Sequence, residues 1–375
     1  MKYLYKEFNG IYAVWLSEVN RYIILKEPAF RIFRLLAENR LEKEIIEEVM
    51  KLYKLPLNEA KRFVNEITEQ VRALLDETDE KEDHLFQASY LDNNQSSTIL
   101  RIYDIYGITV SISYGNSYIE ENIHPRLLHL SVTEENKNHD HTFTLKNSEG
   151  HYFLEDGKGE KRCFNLVEEL AGGIYLQILN IIHGIPPDSW MCVAHASAIT
   201  DGNSAILFMA PSGGGKSTIA ALMLANGFKL LSDDFVPVAL NEPEVYCFPA
   251  GISVKKSAMP FLKNFFPEIG ELNITERPGI NKNGVFLPFP AESLSTKNVK
   301  ARAIVFVQYD ESVQCRFKKQ PNHEFMNQFI SESWIADNPA AAGRFLDWFF
   351  NLDIYELQYS DSKKAVARIK KIFKD

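Results

Sequence analysis

The chain has 375 residues, of which 45% are hydrophobic and 24% charged, a balance typical of a globular protein with two or three domains. The formal net charge of -9 argues against nucleic acid, or an anionic membrane surface, as the main partner. Apolar runs are too short to span a membrane and the start of the chain does not resemble a signal peptide, so we expect a cytoplasmic protein. Its four cysteines are isolated in sequence, which is typical of reduced thiols.

The first 78 residues predict a small unit of two strands and three helices. Two apolar runs within 12–25, separated by a polar turn at 17–20, predict a hairpin. Apolar residues then recur at helical spacing in the segments 27–38, 41–53 and 58–75. Together these elements predict a winged-helix-like domain over residues 1–78.

This unit contains the run I-I-L-K-E-P-A-F-R-I-F-R-L-L from Ile23, followed by E-I-I-E-E-V from Glu44. The pattern resembles the PqqD-like peptide-recognition family. The resemblance implies that a leader or precursor peptide binds along a strand edge of the 13–25 hairpin and the adjacent helix at 58–75. The alternative is a helical accessory domain that only packs on its neighbour, because amphipathic helices form core more often than binding surface.

A charge run at 76–83 marks a domain boundary, because so polar a segment cannot bury itself. Residues 84–190 then predict a β-rich lead-in to the second domain. Its predicted strands are 98–103, 108–114, 126–132, 141–145 and 151–154. A helix is expected from Phe164 to Ile182, where a His-Gly pair ends it.

Residues 205–218 predict a strand, a glycine-rich loop and the start of a helix. The apolar run Ala205–Met209 leads into A-P-S-G-G-G-K-S-T, which satisfies G-x-x-x-x-G-K-[ST] except at Ala210. Successive glycines let backbone N–H groups turn inward around phosphate oxygens, and the helix adds its free N-terminal N–H groups. The candidate nucleotide-binding residues are Pro211, Ser212, Gly213, Gly214, Gly215, Lys216, Ser217 and Thr218. The alternative is a glycine-rich turn that binds nothing.

Two carboxylates follow this loop. A short strand at 228–231 leads into Asp233 and Asp234. A helix that crosses between neighbouring parallel strands returns the chain to the same sheet edge, so we expect both carboxylates to face the loop. Lys216 is expected on the β- and γ-phosphates of ATP and Ser217 on Mg²⁺. Adjacent carboxylates on an extended chain point in opposite directions, so one can serve the metal and the other a proton; alternatively, the pair only caps a turn.

The C-terminal sequence predicts alternating strands and helices. Their expected positions are a buried strand at 303–307, an aromatic-rich helix at 338–350, a strand at 354–359 and a basic helix at 362–373. Phe345, Trp348 and Phe349 recur at helical spacing, which is more typical of core than of a ligand pocket.

His195 precedes the loop strand, and the turn at 201–203 predicts an antiparallel neighbour for that strand. His195, the loop and the Asp233-Asp234 pair together resemble the kinase domain of HPr kinase/phosphorylase. Its relatives include kinases of peptide-modifying gene clusters and, more remotely, ATP-dependent phosphoenolpyruvate carboxykinase. The segment P-A-G-I-S-V-K at 249–255 also resembles those cluster kinases. The later arginine signature of HPr kinases is matched only in part, around Arg277.

The resemblance implies an α/β fold, α+β overall, with a mixed-sheet P-loop kinase domain of the HPr kinase/phosphoenolpyruvate carboxykinase type at 84–375. It implies an ATP- and Mg²⁺-dependent kinase acting on a hydroxyl, typically serine, of a peptide or protein. Asp233 is then the base, His195 tunes it, and Asp234 joins Ser217 on the metal, although the two aspartates could exchange roles. Two other functions stay open: a small-molecule kinase of the same fold, and a nucleotide-gated peptide-binding regulator without transfer activity.

Overall fold

The computed structural model describes residues 2–76, 98–133, 139–272, 274, 283–293 and 297–374. The chain forms two compact units. One takes the described residues within Met1–Leu85 and Pro321–Leu352, and the other takes those within Phe86–Gln320 and Asp353–Asp375. Arg277 and all but the first residue of the predicted charge run lie outside the described residues.

The strands are β1 (Tyr3–Phe8), β2 (Ile11–Leu16), β3 (Arg21–Lys26), β4 (Ile99–Ile105), β5 (Ile108–Tyr114), β6 (Ser131–Val132), β7 (His141–Ser148), β8 (His151–Asp156), β9 (Lys161–Phe164), β10 (Trp190–Ala194), β11 (Ser197–Thr200), β12 (Ala205–Met209), β13 (Lys229–Asp233), β14 (Val236–Ala239), β15 (Glu244–Val245), β16 (Ile252–Lys255), β17 (Gly284–Leu287), β18 (Val299–Tyr309), β19 (Cys315–Gln320), β20 (Ser333–Ile335) and β21 (Asp353–Tyr359). The helices are α1 (Glu27–Ala37), α2 (Glu42–Tyr53), α3 (Leu57–Asp76), α4 (Ser117–Leu127), α5 (Val167–His183), α6 (Lys216–Leu224), α7 (Met259–Leu262), α8 (Asn322–Ser331), α9 (Pro339–Asn351) and α10 (Ser362–Ile372).

The first unit contains an antiparallel sheet in the order β1-β2-β3, packed with helices. The predicted hairpin corresponds to β2 and β3, and the three predicted helices correspond to α1, α2 and α3. Only two strands were expected, however, and β1 was missed. This strand is largely solvent-accessible and carries Lys6 and Glu7, so it lacks the apolar run that predicted the others. As a result, β2 is paired on both sides, and β3 is an edge strand among the residues that the structure describes.

The first unit also includes Pro321–Leu352, which the sequence analysis assigned to the kinase-like domain. The reason lies in α9, whose aromatic side meets the N-terminal strands. Phe350 stacks on Phe8 with ring centroids 3.9 Å apart, and Lys6 forms an ion pair with Asp347 at 2.9 Å. Local periodicity predicts such a helix correctly but carries no information on its partner.

In the second unit, a six-stranded sheet has the order β6-β4-β5-β7-β8-β9 and packs against α4 and α5. The strand predicted at 126–132 is wrong, because most of this segment is the end of α4 and a 3₁₀ turn. Asn116 caps α4 by accepting a hydrogen bond from the Ile119 N–H at 2.9 Å. Ile119, Ile123 and Leu127 then bury one helical face completely.

The glycine-rich loop belongs to a second, mixed sheet of this unit, where the strands around it have the order β13-β11-β12-β18-β21-β19. The antiparallel neighbour predicted for the loop strand is confirmed as β11. The expectation that β12 and β13 are neighbours is wrong, since β11 lies between them. Because β11 is antiparallel to both, β12 and β13 still point the same way and end at the same sheet edge.

The fold is therefore mixed α/β, with mixed sheets. Phe345, Trp348 and Phe349 are buried, which confirms their interpretation as core. All four cysteines are free thiols. Within the described ranges, no helix combines the length and the apolar composition that a membrane span requires.

Candidate active site

The glycine-rich loop follows β12 and opens α6. Gly213 and Gly215 have φ angles of +94° and +102°, a region that side chains disfavour. Gly214 is required for a different reason, because a Cβ there would lie 2.7 Å from the Ala210 Cβ. Its N–H donates to the Pro211 carbonyl at 2.8 Å, which tightens the turn. The backbone angles at Gly213 and Gly215 and the close approach at Gly214 therefore favour glycine at all three positions.

The Lys216 side chain lies at the start of α6 and is only 8% exposed. Its Nζ lies 3.0 Å from Asp234 Oδ1 and 2.8 Å from His195 Nε2. An ammonium carries only donors, so Lys216 donates to both groups and His195 Nε2 is the ring nitrogen with the lone pair. The structure thus brings together a loop lysine, a histidine and a carboxylate that are separated in sequence.

Asp233 points toward the helix and is completely buried. The Ser217 hydroxyl lies 3.0 Å from both of its carboxylate oxygens. The Ser197 hydroxyl donates to Oδ1 at 2.5 Å, and the Ser253 N–H donates to Oδ2 at 2.9 Å. Burial, reinforced by the neighbouring charge of Asp234, raises the pKa of Asp233 to about 6 in spite of these hydrogen bonds.

Asp234 has a separate set of partners. Its φ of +62° is in the left-handed region, which is uncommon for a residue with a side chain. Oδ2 accepts a hydrogen bond from Arg126 at 3.0 Å, while Oδ1 lies against Lys216 and 3.2 Å from His195 Nε2. Burial alone raises the pKa of this carboxyl, but the charges of Arg126 and Lys216 hold it well below the usual value.

Sequence reasoning missed Arg126, which lies 108 residues before its partner Asp234. The erroneous strand at 126–132 hid the one available signal, an arginine next to the buried face of a helix. Ser197 and Ser253 were missed as partners of Asp233 because nothing local distinguishes them from other strand serines. Lys255, in the segment singled out by resemblance, places its Nζ 3.2 Å from Ser212 Oγ and brings another cation to the loop.

The remaining predicted loop residues lie at the opening of the loop and in the first turn of α6. Pro211 and Ser212 are exposed at the opening of the loop, and Thr218 is half-buried in the first turn of α6. The first-turn N–H groups of a helix have no acceptor within the helix, so those of Lys216, Ser217 and Thr218 suit an anion.

The Ser217 hydroxyl and the Asp233 carboxylate, which lie 3.0 Å apart, are oxygen groups that could hold Mg²⁺. Among the described residues, no cluster of three or more His, Cys, Asp or Glu side chains could hold a metal by itself. One hydroxyl and one carboxylate suit a nucleotide-bound Mg²⁺, which uses one or two carboxylates together with phosphate oxygens. No protein-family model and no curated protein matches this chain.

Proposed function

We propose that the protein is an ATP- and Mg²⁺-dependent kinase that transfers the γ-phosphoryl group to a hydroxyl of a peptide or protein. One observation carries the proposal: the buried Lys216 ammonium joins Asp234 and His195 at a glycine loop, while the adjacent Ser217 contacts Asp233. Phosphoryl transfer requires a cation at the phosphates, oxygen ligands for Mg²⁺ and a separate group for the acceptor hydroxyl. A glycine-rich turn that binds nothing does not require a buried lysine, a serine and two carboxylates at this position.

The contacts favour exchanged roles for the two aspartates relative to those that the resemblance implied. Asp233 is fully buried and the Ser217 hydroxyl lies 3.0 Å from both of its oxygens, so it is better placed to act together with Ser217 than to meet an incoming hydroxyl. With Ser217 it is suited to hold Mg²⁺, which neutralises charge on the phosphate oxygens. Asp234 is 9% exposed and lies on the side of Lys216 and His195, so we assign it the acceptor hydroxyl.

In the transfer step, the acceptor oxygen forms a bond to the γ-phosphorus. The bond from that phosphorus to the β–γ bridging oxygen breaks, and ADP leaves with the electron pair. When Lys216 moves to the phosphate oxygens, Asp234 loses one of the positive charges that hold its pKa low, and its Oδ1 can accept the hydroxyl proton as the new bond to phosphorus forms. His195 Nε2 lies 3.2 Å from this oxygen and can receive the proton next.

The first unit is proposed to capture the peptide that carries the acceptor. Because β2 is paired on both sides, the edge of the predicted hairpin that no described strand occupies is that of β3. An extended peptide that adds to such an edge gains main-chain hydrogen bonds, and capture raises the effective concentration of its hydroxyl. Removal of only the N-terminal residues is a poor test, because α9 would lose its partners Phe8 and Lys6.

The experiment that tests the kinase proposal uses the full chain, Mg²⁺, γ-labelled ATP and a cell extract that contains both peptides and small metabolites. Mass spectrometry should locate label on serine or threonine residues, and the Lys216→Ala variant should give none. Label confined to small metabolites would replace the proposal with the small-molecule kinase. ATP binding without transfer to any acceptor would replace it with the nucleotide-gated regulator.

A further inference from the structure

The end of β18 borders the glycine-rich loop on the side away from the aspartates. β12 and β18 are parallel, with Met209 opposite Phe306, so both strands end at the same sheet edge. The Tyr309 N–H, at the end of β18, donates to the Gly214 carbonyl at 3.2 Å. The Tyr309 Cβ lies 3.8 Å from the position that a Cβ on Gly215 would take. Tyr309 therefore directly adjoins the loop.

The Tyr309 side chain presents an aromatic surface to solvent at this point. It is 52% exposed, whereas Tyr359, at the end of β21, is 2% exposed. The two rings meet edge to face, with centroids 5.9 Å apart and an interplanar angle of 86°. The Tyr359 hydroxyl lies 3.6 Å from the Cβ position at Gly215. A buried ring thus supports an exposed one beside the loop, which lowers the entropic cost of stacking a ligand on it.

The position of the aspartates fixes the direction in which a nucleotide can lie. Asp233 and Asp234 follow β13, on one side of the loop strand, while Tyr309 and Tyr359 end β18 and β21 on the other side. The terminal phosphate must approach Ser217 and the aspartates, so the nucleoside extends the opposite way. Ligands of open α/β sheets bind outside the carboxyl ends of the strands, and the ends of β18 and β21 lie on that path.

We propose that Tyr309 is the stacking surface for the base of the bound nucleoside triphosphate, a role that rests on the proposed function. Every base offers a π-face, so the ring binds a base without reading its hydrogen-bonding edge. The loop and Lys216 hold the triphosphate group whatever is attached to it. Tyr309 accordingly adds affinity for a nucleotide over inorganic polyphosphate.

The test compares ATP with inorganic tripolyphosphate by calorimetric titration of the full chain in Mg²⁺. Tyr309→Ala should weaken ATP binding about tenfold, and tripolyphosphate binding less than about twofold. Tyr309→Phe is the matched control, because it keeps the ring and should retain the affinity for ATP. The melting temperature of each variant should stay close to that of wild type, because Tyr309 is half-exposed, and this measurement checks that the variants fold.

Equal weakening of ATP and tripolyphosphate binding by Tyr309→Ala would overturn the proposal, since the backbone contact with Gly214 would then be the cause. Unchanged affinity for both ligands would overturn it as well, as would a wild-type chain that binds tripolyphosphate as tightly as ATP. A wild-type chain that binds neither ligand would reject the proposed kinase function itself, and Tyr309 stacking with it.

Discussion

The variant Asp234→Asn tests whether Asp234 accepts the proton of the acceptor hydroxyl. An amide has nearly the shape of a carboxylate but cannot take the acceptor proton. Phosphoryl transfer by Asp234→Asn should therefore fall by about two to four orders of magnitude, or ~3–5 kcal/mol of activation free energy. The change also removes the negative charge between Arg126 and Lys216. We expect the free energy of unfolding to drop by ~3 kcal/mol, near the lower limit for a broken buried pair, because Lys216 keeps His195 as a partner.

Asp233→Asn is the matched variant, with the same chemistry one residue earlier. This substitution alters the oxygen pair formed with Ser217, so it should weaken ATP binding in the presence of Mg²⁺ and change binding without Mg²⁺ very little. Asp234→Asn should show the reverse pattern, with Mg²⁺-dependent affinity retained and transfer lost.

Three measurements separate the two variants. Calorimetry with and without Mg²⁺ gives the affinity for ATP, rapid-quench single turnover on a labelled acceptor peptide gives the transfer rate, and urea unfolding gives the stability. If Asp233→Asn keeps its Mg²⁺-dependent affinity and loses transfer, while Asp234→Asn loses that affinity, the exchanged assignment is refuted. Asp233 would then be the base, as the resemblance implied.

Four further predictions follow from the described contacts. Lys216→Ala should abolish ATP turnover, a cost of several kcal/mol in the transition state, with an unchanged circular dichroism spectrum; undiminished turnover would contradict the kinase proposal. Gly214→Ala puts a Cβ 2.7 Å from that of Ala210 and should reduce ATP affinity at least about tenfold, so wild-type affinity would exclude this loop as the phosphate site. Burial lowers the pKa of His129 from 6.5 to about 4, so the folded state favours the neutral imidazole. The stability that this contributes is fully present above the unfolded pKa and is lost as the pH falls toward 4. Urea unfolding should therefore show that the free energy of unfolding falls between about pH 7.5 and about pH 5 by ~2 kcal/mol less in His129→Gln than in wild type. Equal decreases in the two proteins would contradict the buried neutral imidazole. A bound acceptor peptide should slow hydrogen exchange in β3 and leave β2 unchanged; protection of β2 instead would reject addition at the β3 edge.

Local sequence patterns were sufficient for the elements that form the loop. The apolar run before three glycines predicted β12, and the start of α6 at Lys216 matches the expectation. The strand predicted at 126–132 was wrong. Pro125 lies inside α4, and a proline is ordinarily a reason to end a helix. Here the Asn116 cap and the buried helical face outweigh that local preference.

The contacts between the site residues were harder to predict from sequence than the residues themselves. Adjacent carboxylates were expected to face different ways, and Asp233 and Asp234 do contact different groups. Which one faces the lysine depends on the left-handed backbone at Asp234, which no neighbouring residue specifies. Arg126 and Ser197 reach the aspartates through tertiary structure, and contacts of this kind leave no pattern in a local window.

The ion pair between Arg126 and Asp234 also ties the site to the folding of the second unit. The loop and its strand are close in sequence and can form early, whereas this pair closes a segment of 108 residues between α4 and the end of β13. Contacts of such sequence separation are gained only once the entropic cost of closing the intervening segment has been met. In a partly folded chain, Asp234 lacks the arginine that donates a hydrogen bond to its Oδ2. The onset of phosphoryl transfer during refolding would thus report completion of the whole unit, later than the first appearance of phosphate binding.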